Sequence, residues 1–351
     1  MKDCLSTAVL GLNDRGRLLL EAAAQLDCFH IQAVADQDPQ KAEKAAVQHD
    51  CQAYTDFRQL IVQNQFDCLL VAADVHTCDE HLKTALKKKF NILKLAPPAR
   101  NFEEALEYVQ TAENAKVKFA IANPARFRSS YITAHELILQ NHIEHVFLVT
   151  VFCRADGGHR PAWWSDPKLA GGGVLMHDCY QIVDQILWNF ALPQQVYALN
   201  TNQAPDKKQR LYLTEDTSVV SMKFTDALLG NLVATRRNEI EPNETALRLY
   251  GRNALLTVTE NRVTLKTGVE QDNQEWEYHE EEPLVMQRLL SSFAQSVTTP
   301  EESGLIATGA ENLANMAVLE AAYLSARTGF PEEPARILRL GRNPSGTATT
   351  I

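Results

Sequence analysis

Over the first 125 residues, short apolar runs alternate with stretches in which apolar positions recur every three or four residues. The runs at 7–10, 31–35, 68–72, 91–95 and 118–122 read as buried strands, and the segments near 16–26, 39–48, 57–63, 79–89 and 102–114 as helices. That alternation predicts a parallel sheet covered on both faces. Right-handed crossovers then put a ligand crevice at the carboxyl ends of the strands. Pro39 at a helix start and Asn101 before Phe102-Glu103-Glu104 mark N-terminal helix boundaries.

From about residue 144 the pattern changes. A β-branched and aromatic run at 146–153 leads into a loop rich in Gly, Pro and Trp, then Gly171-Gly172-Gly173 and a helix expected over 174–190. Strands are expected near 196–201, 211–224, 230–236, 245–251 and 254–266. Alternation such as Val219-Val220-Ser221-Met222-Lys223-Phe224 suits a mostly antiparallel sheet with one face packed on helices. Two late helices, 283–298 and 302–328, are expected to return to the first domain or the joint, and the tail after 339 has little to bury. The expected organisation is α/β, with a dinucleotide-binding domain at 1–125, an α/β domain at 126–338 and a tail at 339–351.

The dinucleotide expectation rests on one turn. Gly11 and Gly16 are the only glycines among the first 156 residues, and both lie in Gly11-Leu12-Asn13-Asp14-Arg15-Gly16, between an apolar strand and an Ala/Leu-rich helix. The spacing is that of a phosphate loop whose middle glycine is Asn13, a residue that tolerates left-handed backbone but adds a side chain. Backbone N–H groups and the positive end of the helix dipole would face a pyrophosphate there. Asp36, twenty residues past Gly16, stands where a carboxylate holds the adenosine ribose; it equally suits a helix cap before Asp38-Pro39. A carboxylate followed by Gln37 favours NAD over NADP, because a 2′-phosphate would meet like charge.

Composition narrows the partners. A net charge of −10 argues against nucleic acid or an anionic membrane. Neither a leader pattern nor an apolar run of membrane-spanning length is expected. Seven cysteines, scattered and without a C-x-x-C pair, point to a reduced cytoplasmic protein with no metal centre.

The opening loop, Tyr54-Thr55-Asp56, the segment 91–100, Arg126-Phe127, the run from Trp164 through Gly173 and the closing helix ending at Gly329 together resemble the Gfo/Idh/MocA oxidoreductases. The resemblance implies a Rossmann domain, a second α/β domain, a homodimer or homotetramer, and hydride transfer between a nicotinamide and a sugar, polyol or cyclitol. The family's Glu-Lys-Pro falls here on Leu95, Ala96 and Pro97, and its turn after the third strand on Ala73-Asp74-Val75. Gly11, Leu12, Asn13, Gly16, Asp36, Ala73, Ala96 and Pro97 are thereby the expected coenzyme contacts. The family's Asp and His after the glycine triplet fall on His177 and Gln181, with Asp184 retained.

Alcohol oxidation releases a proton, and Ala96 cannot take it. On one continuous helix, positions 177, 181 and 184 share a face, so His177 is the expected base and Gln181 the group that orients substrate. A hydrogen-bonded interdomain role for His177 fits as well. His159, Arg160, Trp163, Arg126 and Asp184 are expected at the substrate, against a competing reading of Arg126 as a structural ion pair and of Trp164 as a buried anchor. A catalytically degenerate dinucleotide-binding sensor on the same fold is the rival function.

Overall fold

The computed structural model describes residues 4–155, 160–203, 213–236, 243–268, 270–299 and 307–340. Its first sheet contains β1 (Leu5–Leu10), β2 (Phe29–Ala35), β3 (Gln52–Tyr54), β4 (Cys68–Val71), β5 (Asn91–Leu95) and β6 (Phe119–Ala122). These alternate with α1 (Asp14–Ala24), α2 (Pro39–His49), α3 (Phe57–Gln63), α4 (Asp79–Lys87) and α5 (Phe102–Ala115). All six strands run parallel, in the order β6-β5-β4-β1-β2-β3. The edge strand β3 is absent from the sequence-based expectation, since three residues with exposed or half-exposed side chains carry no period.

The second sheet follows α6 (Ser129–Leu139). It contains β7 (Leu148–Ala155), β8 (Gln195–Thr201), β9 (Thr217–Lys223), β10 (Leu229–Arg236), β11 (Glu244–Tyr250), β12 (Ala254–Val258), β13 (Arg262–Thr267) and β14 (Gln274–Glu277), in the order β14-β13-β12-β11-β7-β10-β9-β8. Among the described strand pairs of this sheet, β7–β10 alone is parallel. What reads as one strand over 254–266 is the β12–β13 hairpin, turned at Thr259–Arg262. Between β7 and β8 lie α7 (Pro167–Ala170), α8 (Val174–His177) and α9 (Tyr180–Asn189), so the expected helix over 174–190 is two pieces.

The late elements return to the first sheet. In α10 (Glu282–Thr298), Val285, Leu289 and Phe293 share a core with Leu19 of α1 and with Val9, Leu70 and Leu93 of the sheet. β15 (Ala307–Thr308) pairs antiparallel with β6, and Thr308 then caps α11 (Gly309–Thr328) in a reciprocal box with Glu311. The helix expected from 302 therefore starts at 309; residues 302–306 lie outside the described residues. α11 packs against α5, α9 and β8, and α12 (Pro334–Leu340) ends the description before most of the tail.

Candidate active site

Gly11 turns the chain off β1 at φ +85°, where a Cβ would stand 2.5 Å from the Ala73 backbone nitrogen. A Cβ on Gly16 would stand 2.1 Å from the Gly11 carbonyl, so both glycines are demanded by close backbone approach. Asn13 is different. Its backbone is extended (φ −64°, ψ 177°), so no left-handed tolerance is used and no glycine is needed. Its side chain caps α1: Oδ1 accepts from the Gly16 N–H at 2.9 Å while Nδ2 donates to the Ala72 carbonyl at 2.9 Å.

The N–H groups of Asn13, Asp14 and Arg15 have no hydrogen-bond partner among the described residues. Asp36 Oδ2 accepts from Leu12 N–H at 2.6 Å and Oδ1 from Asp38 N–H at 2.9 Å, which ties the end of β2 to the loop. The cap of α2 is Asp38, not Asp36. Three free N–H groups at a helix start, a glycine-narrowed turn and a fixed carboxylate on the next strand fit a dinucleotide.

Ala73 is buried under Gly11, and Ala96 precedes Pro97 at the end of β5. Neither Ala96 nor Pro97 carries a titratable group, but Lys94, two residues earlier, is buried at 2% exposure and donates to the Leu95 and Pro97 carbonyls at 3.2 and 2.8 Å. Burial lowers its pKa, opposed by Cys78, Asp74 and Glu104. The signal for it in the sequence is a lone lysine inside an apolar strand.

The glycine triplet proves to be a joint. A Cβ on Gly171 would stand 2.1 Å from the Arg100 carbonyl, one on Gly172 2.0 Å from the Tyr323 hydroxyl, and one on Gly173 1.9 Å from the Glu215 carbonyl. Three separate segments thus converge on it. Glu215, buried, accepts from Gly173 N–H at 2.7 Å, Leu175 N–H at 3.0 Å and Tyr323 Oη–H at 2.9 Å, so its carboxylate anchors the start of α8.

Beyond the triplet the chain corrects the expected face. Helical bonding breaks at Cys179, whose N–H reaches the Val174 carbonyl five residues back at 3.0 Å, the same carbonyl that accepts the regular bond from Asp178 N–H. Positions 177 and 181 therefore sit on different helices. His177 Nε2 donates to the Ala170 carbonyl at 2.9 Å, and its ring packs on Trp164 at 4.2 Å and Trp163 at 5.7 Å. Burial lowers its pKa to about 3, with Arg160, Lys94 and Arg15 adding to the fall and the Ala170 hydrogen bond opposing it. A group that weakly basic takes a proton poorly at neutral pH, and the expectation of His177 as base gives way to its hydrogen-bonded alternative.

Arg126 and Asp184 also leave the substrate list. Arg126 Nε and Nη2 bind Asp184 Oδ2 and Oδ1 at 2.7 and 2.8 Å, with Asp184 fully buried and joined by Asn315 at 2.9 Å. This network ties α9, α11 and the Pro124–Phe127 turn together, and it is the structural ion pair of the competing reading. Trp163 packs on His76 of the turn after β4, at 5.0 Å between rings. His159 lies outside the described residues.

What remains is a cavity of about 560 Å³ between the phosphate loop and the second sheet. Arg15 enters it from the start of α1, Arg160 from the segment ahead of α7, Asp178 from the break between α8 and α9, Gln181 from α9, Arg128 from just before α6, and Arg154 and Cys153 from β7. Gln181 Oε1 accepts from Ala125 N–H at 3.3 Å. Asp178 Oδ1 accepts from Arg160 Nη2 at 2.8 Å, the guanidinium lying 4.3 Å over Trp164, while Oδ2 is buried without a hydrogen-bond partner among the described residues. Burial raises the Asp178 pKa against the pull of Arg160, Arg236 and Arg15. Asp178 is absent from the sequence-based expectation, although it precedes Gln181 by three residues, a spacing that puts neighbouring side chains on one side of a helix.

Among the described residues no cluster of three or more His, Cys, Asp or Glu is arranged to hold a metal, all seven cysteines are free thiols, and no helix is long and apolar enough to cross a membrane. The family model for the oxidoreductase NAD-binding Rossmann fold (GFO_IDH_MocA) matches residues 5–123, and that for the oxidoreductase C-terminal alpha/beta domain matches residues 135–332. An uncharacterised oxidoreductase of Schizosaccharomyces pombe is 24% identical over 146 residues, 41% of this chain, and the match spans only 40% of that relative. Among solved structures, an Agrobacterium radiobacter oxidoreductase in complex with NAD+, L-tartaric acid and magnesium has a TM-score of 0.81 at 16% identity, covering 95% of this chain and 99% of its own. The WlbA dehydrogenase of Bordetella pertussis with NADH and UDP-GlcNAcA scores 0.80 at 18% identity (94% and 98%), and a levoglucosan dehydrogenase with NADH scores 0.84 at 14% (94% and 98%). These likenesses are of fold.

Proposed function

The chain belongs to the Gfo/Idh/MocA oxidoreductase family, and from that premise we propose that it is an NAD-dependent oxidoreductase acting on a polyhydroxy substrate of sugar, polyol or cyclitol type. The observation that carries this reading is the cavity: it is lined on one side by Arg15 of the phosphate loop and on the other by Asp178, one of whose carboxylate oxygens is buried without a donor among the described residues. Gly11, Leu12, Asn13 and Gly16 would shape the pyrophosphate site and Asp36 the ribose site, with Ala73, Ala96 and Pro97 along the strand ends. The negative charge of Asp36 favours NAD. When bound, the nicotinamide supplies the hydride acceptor or donor.

Proton transfer is assigned to Asp178 rather than His177. Its raised pKa makes it a stronger base than an ordinary carboxylate, and Arg160 fixes its orientation through Oδ1. Oδ2, buried at the cavity wall and without a donor among the described residues, is the oxygen that a substrate hydroxyl would have to reach, giving up its proton in oxidation and regaining it in reduction. Gln181, held by the Ala125 N–H, orients the neighbouring hydroxyl through its amide.

The sensor reading keeps one observation in its favour: Ala96 replaces the family lysine, and Lys94 is spent on strand-end carbonyls. Fluorescence titration with NADH and NADPH, followed by a panel of polyols and keto sugars monitored by NADH absorbance, separates the two. Turnover supports the oxidoreductase; tight NADH binding without turnover across the panel supports the sensor; no binding of either coenzyme defeats both.

A second copy of the chain is the proposed partner, as homodimer or homotetramer. The open face and rim of the second sheet expose Phe147, Leu199, Val219 and Leu229, an apolar surface expected to be covered. Light scattering on the protein and on Leu199→Glu tests it, a monomeric parent overturning the proposal.

A further inference from the structure

Resting on the oxidoreductase reading, we infer that the substrate of this cavity carries a carboxylate, bound by Arg15, beside the hydroxyls presented to Asp178 and Gln181. Among the described residues four guanidiniums line the cavity, and three of them have acidic partners. Arg128 meets Glu260 at 3.2 Å and also Glu282, Arg154 meets Glu244 at 2.9 Å, and Arg160 meets Asp178 at 2.8 Å. Among the described residues Arg15 has no carboxylate at ion-pair distance, and it is exposed. An unpaired cation facing a cavity in a chain of net charge −10 is a local exception to the molecule's field.

The second observation is independent. Asp178 lines the same cavity, and its Oδ2 is a buried acceptor without a donor among the described residues. One wall thus accepts hydrogen bonds and the other offers a planar two-pronged cation suited to a carboxylate. A neutral polyol satisfies only the first. A polyhydroxy acid, such as an aldonate or uronate, satisfies both, and a volume of about 560 Å³ is ample for one.

Arg15 also neighbours the phosphate loop, so the anion it binds has two sources, a substrate carboxylate or the coenzyme phosphates. The inference commits to the first, and calorimetry distinguishes them. Gluconate against sorbitol and glucuronate against glucose are titrated into the protein, with and without saturating NADH. Expected are acids binding at least tenfold more tightly than their neutral partners, and loss of that preference in Arg15→Gln with NADH affinity changed less than threefold. Arg17→Gln, on the same helix but outside the cavity, should leave the preference intact.

Equal affinity for acids and neutral partners overturns the inference. So does an Arg15→Gln variant that weakens NADH and keeps the preference, because Arg15 then serves the coenzyme. NADH binding without acid preference defeats the inference alone. Acid preference without any coenzyme binding supports the anion site and defeats the oxidoreductase reading.

Discussion

The phosphate loop and the cavity beside it lie close in space, yet they are built from different kinds of information. In the loop, each decisive contact joins residues of one turn or of adjoining parallel strands: Gly16 to Asn13, Asn13 to Ala72, Leu12 to Asp36. In the cavity and its supporting joint, contacts span α1, β7, the Gly171–Gly173 segment, Glu215 and α11. The difference teaches that local steric rules carry the first site, whereas desolvation and pairing between distant segments select which side chains are chemically available in the second.

Substitutions at the two sites should separate accordingly. Largest is Gly173→Ala, whose Cβ meets a backbone carbonyl rather than a flexible side chain. A loss of more than about 3 kcal/mol, or failure to fold, is expected in urea melts. Next is Arg126→Met, which leaves Asp184 charged and buried. A loss of about 3–5 kcal/mol is expected, with Arg126→Met/Asp184→Asn recovering part of it. Equal stability in the single and parent proteins would remove the joint's ion pair from this account.

Asp178→Asn comes third. Turnover of a true substrate should fall by about 10²–10⁴ with the fold retained. In the parent, activity requires the ionised carboxylate, so it rises with pH through a limb displaced above the ordinary carboxylate range, as the raised pKa dictates. That limb should vanish in the variant. Survival of the limb would return the role of base to another group.

His177 gives a smaller, pH-dependent effect. Its folded-state pKa of about 3 lies below the unfolded value of 6.5, so acidification protonates the unfolded chain first. Stability present above pH 6.5 should be lost as pH falls toward 3, by at most about 1.4 kcal/mol per unit. A His177→Phe protein should show a shallower acid slope in thermal melts across that window. Smallest is Asn13→Gly: with no positive φ to relieve, and a cap and one hydrogen bond to the Ala72 carbonyl to lose, about 1 kcal/mol is expected. A large loss there would mean that the loop depends on its asparagine as strongly as the joint depends on Gly173.

Much of the first domain is legible in the amino-acid sequence. The strands at 31–35, 68–72, 91–95 and 118–122 lie within a residue or two of those observed, because buried parallel strands are continuous apolar runs. The second half is less legible: the β12–β13 hairpin reads as one strand, and the break before α9 leaves no mark. No local pattern marks a helix whose start is anchored by a buried carboxylate from residue 215.

By itself, the order of residues determined a parallel sheet, a phosphate-type turn at 11–16 and the Gfo/Idh/MocA resemblance, since each follows from spacing and steric demand within a short stretch. Only the tertiary structure decided that His177 packs against two indoles, that Arg126 is consumed by Asp184, and that Asp178 and Arg15 line one cavity. The physical reason is that a side chain's charge and reach depend on which distant partners desolvate or neutralise it, and those partners are chosen by packing.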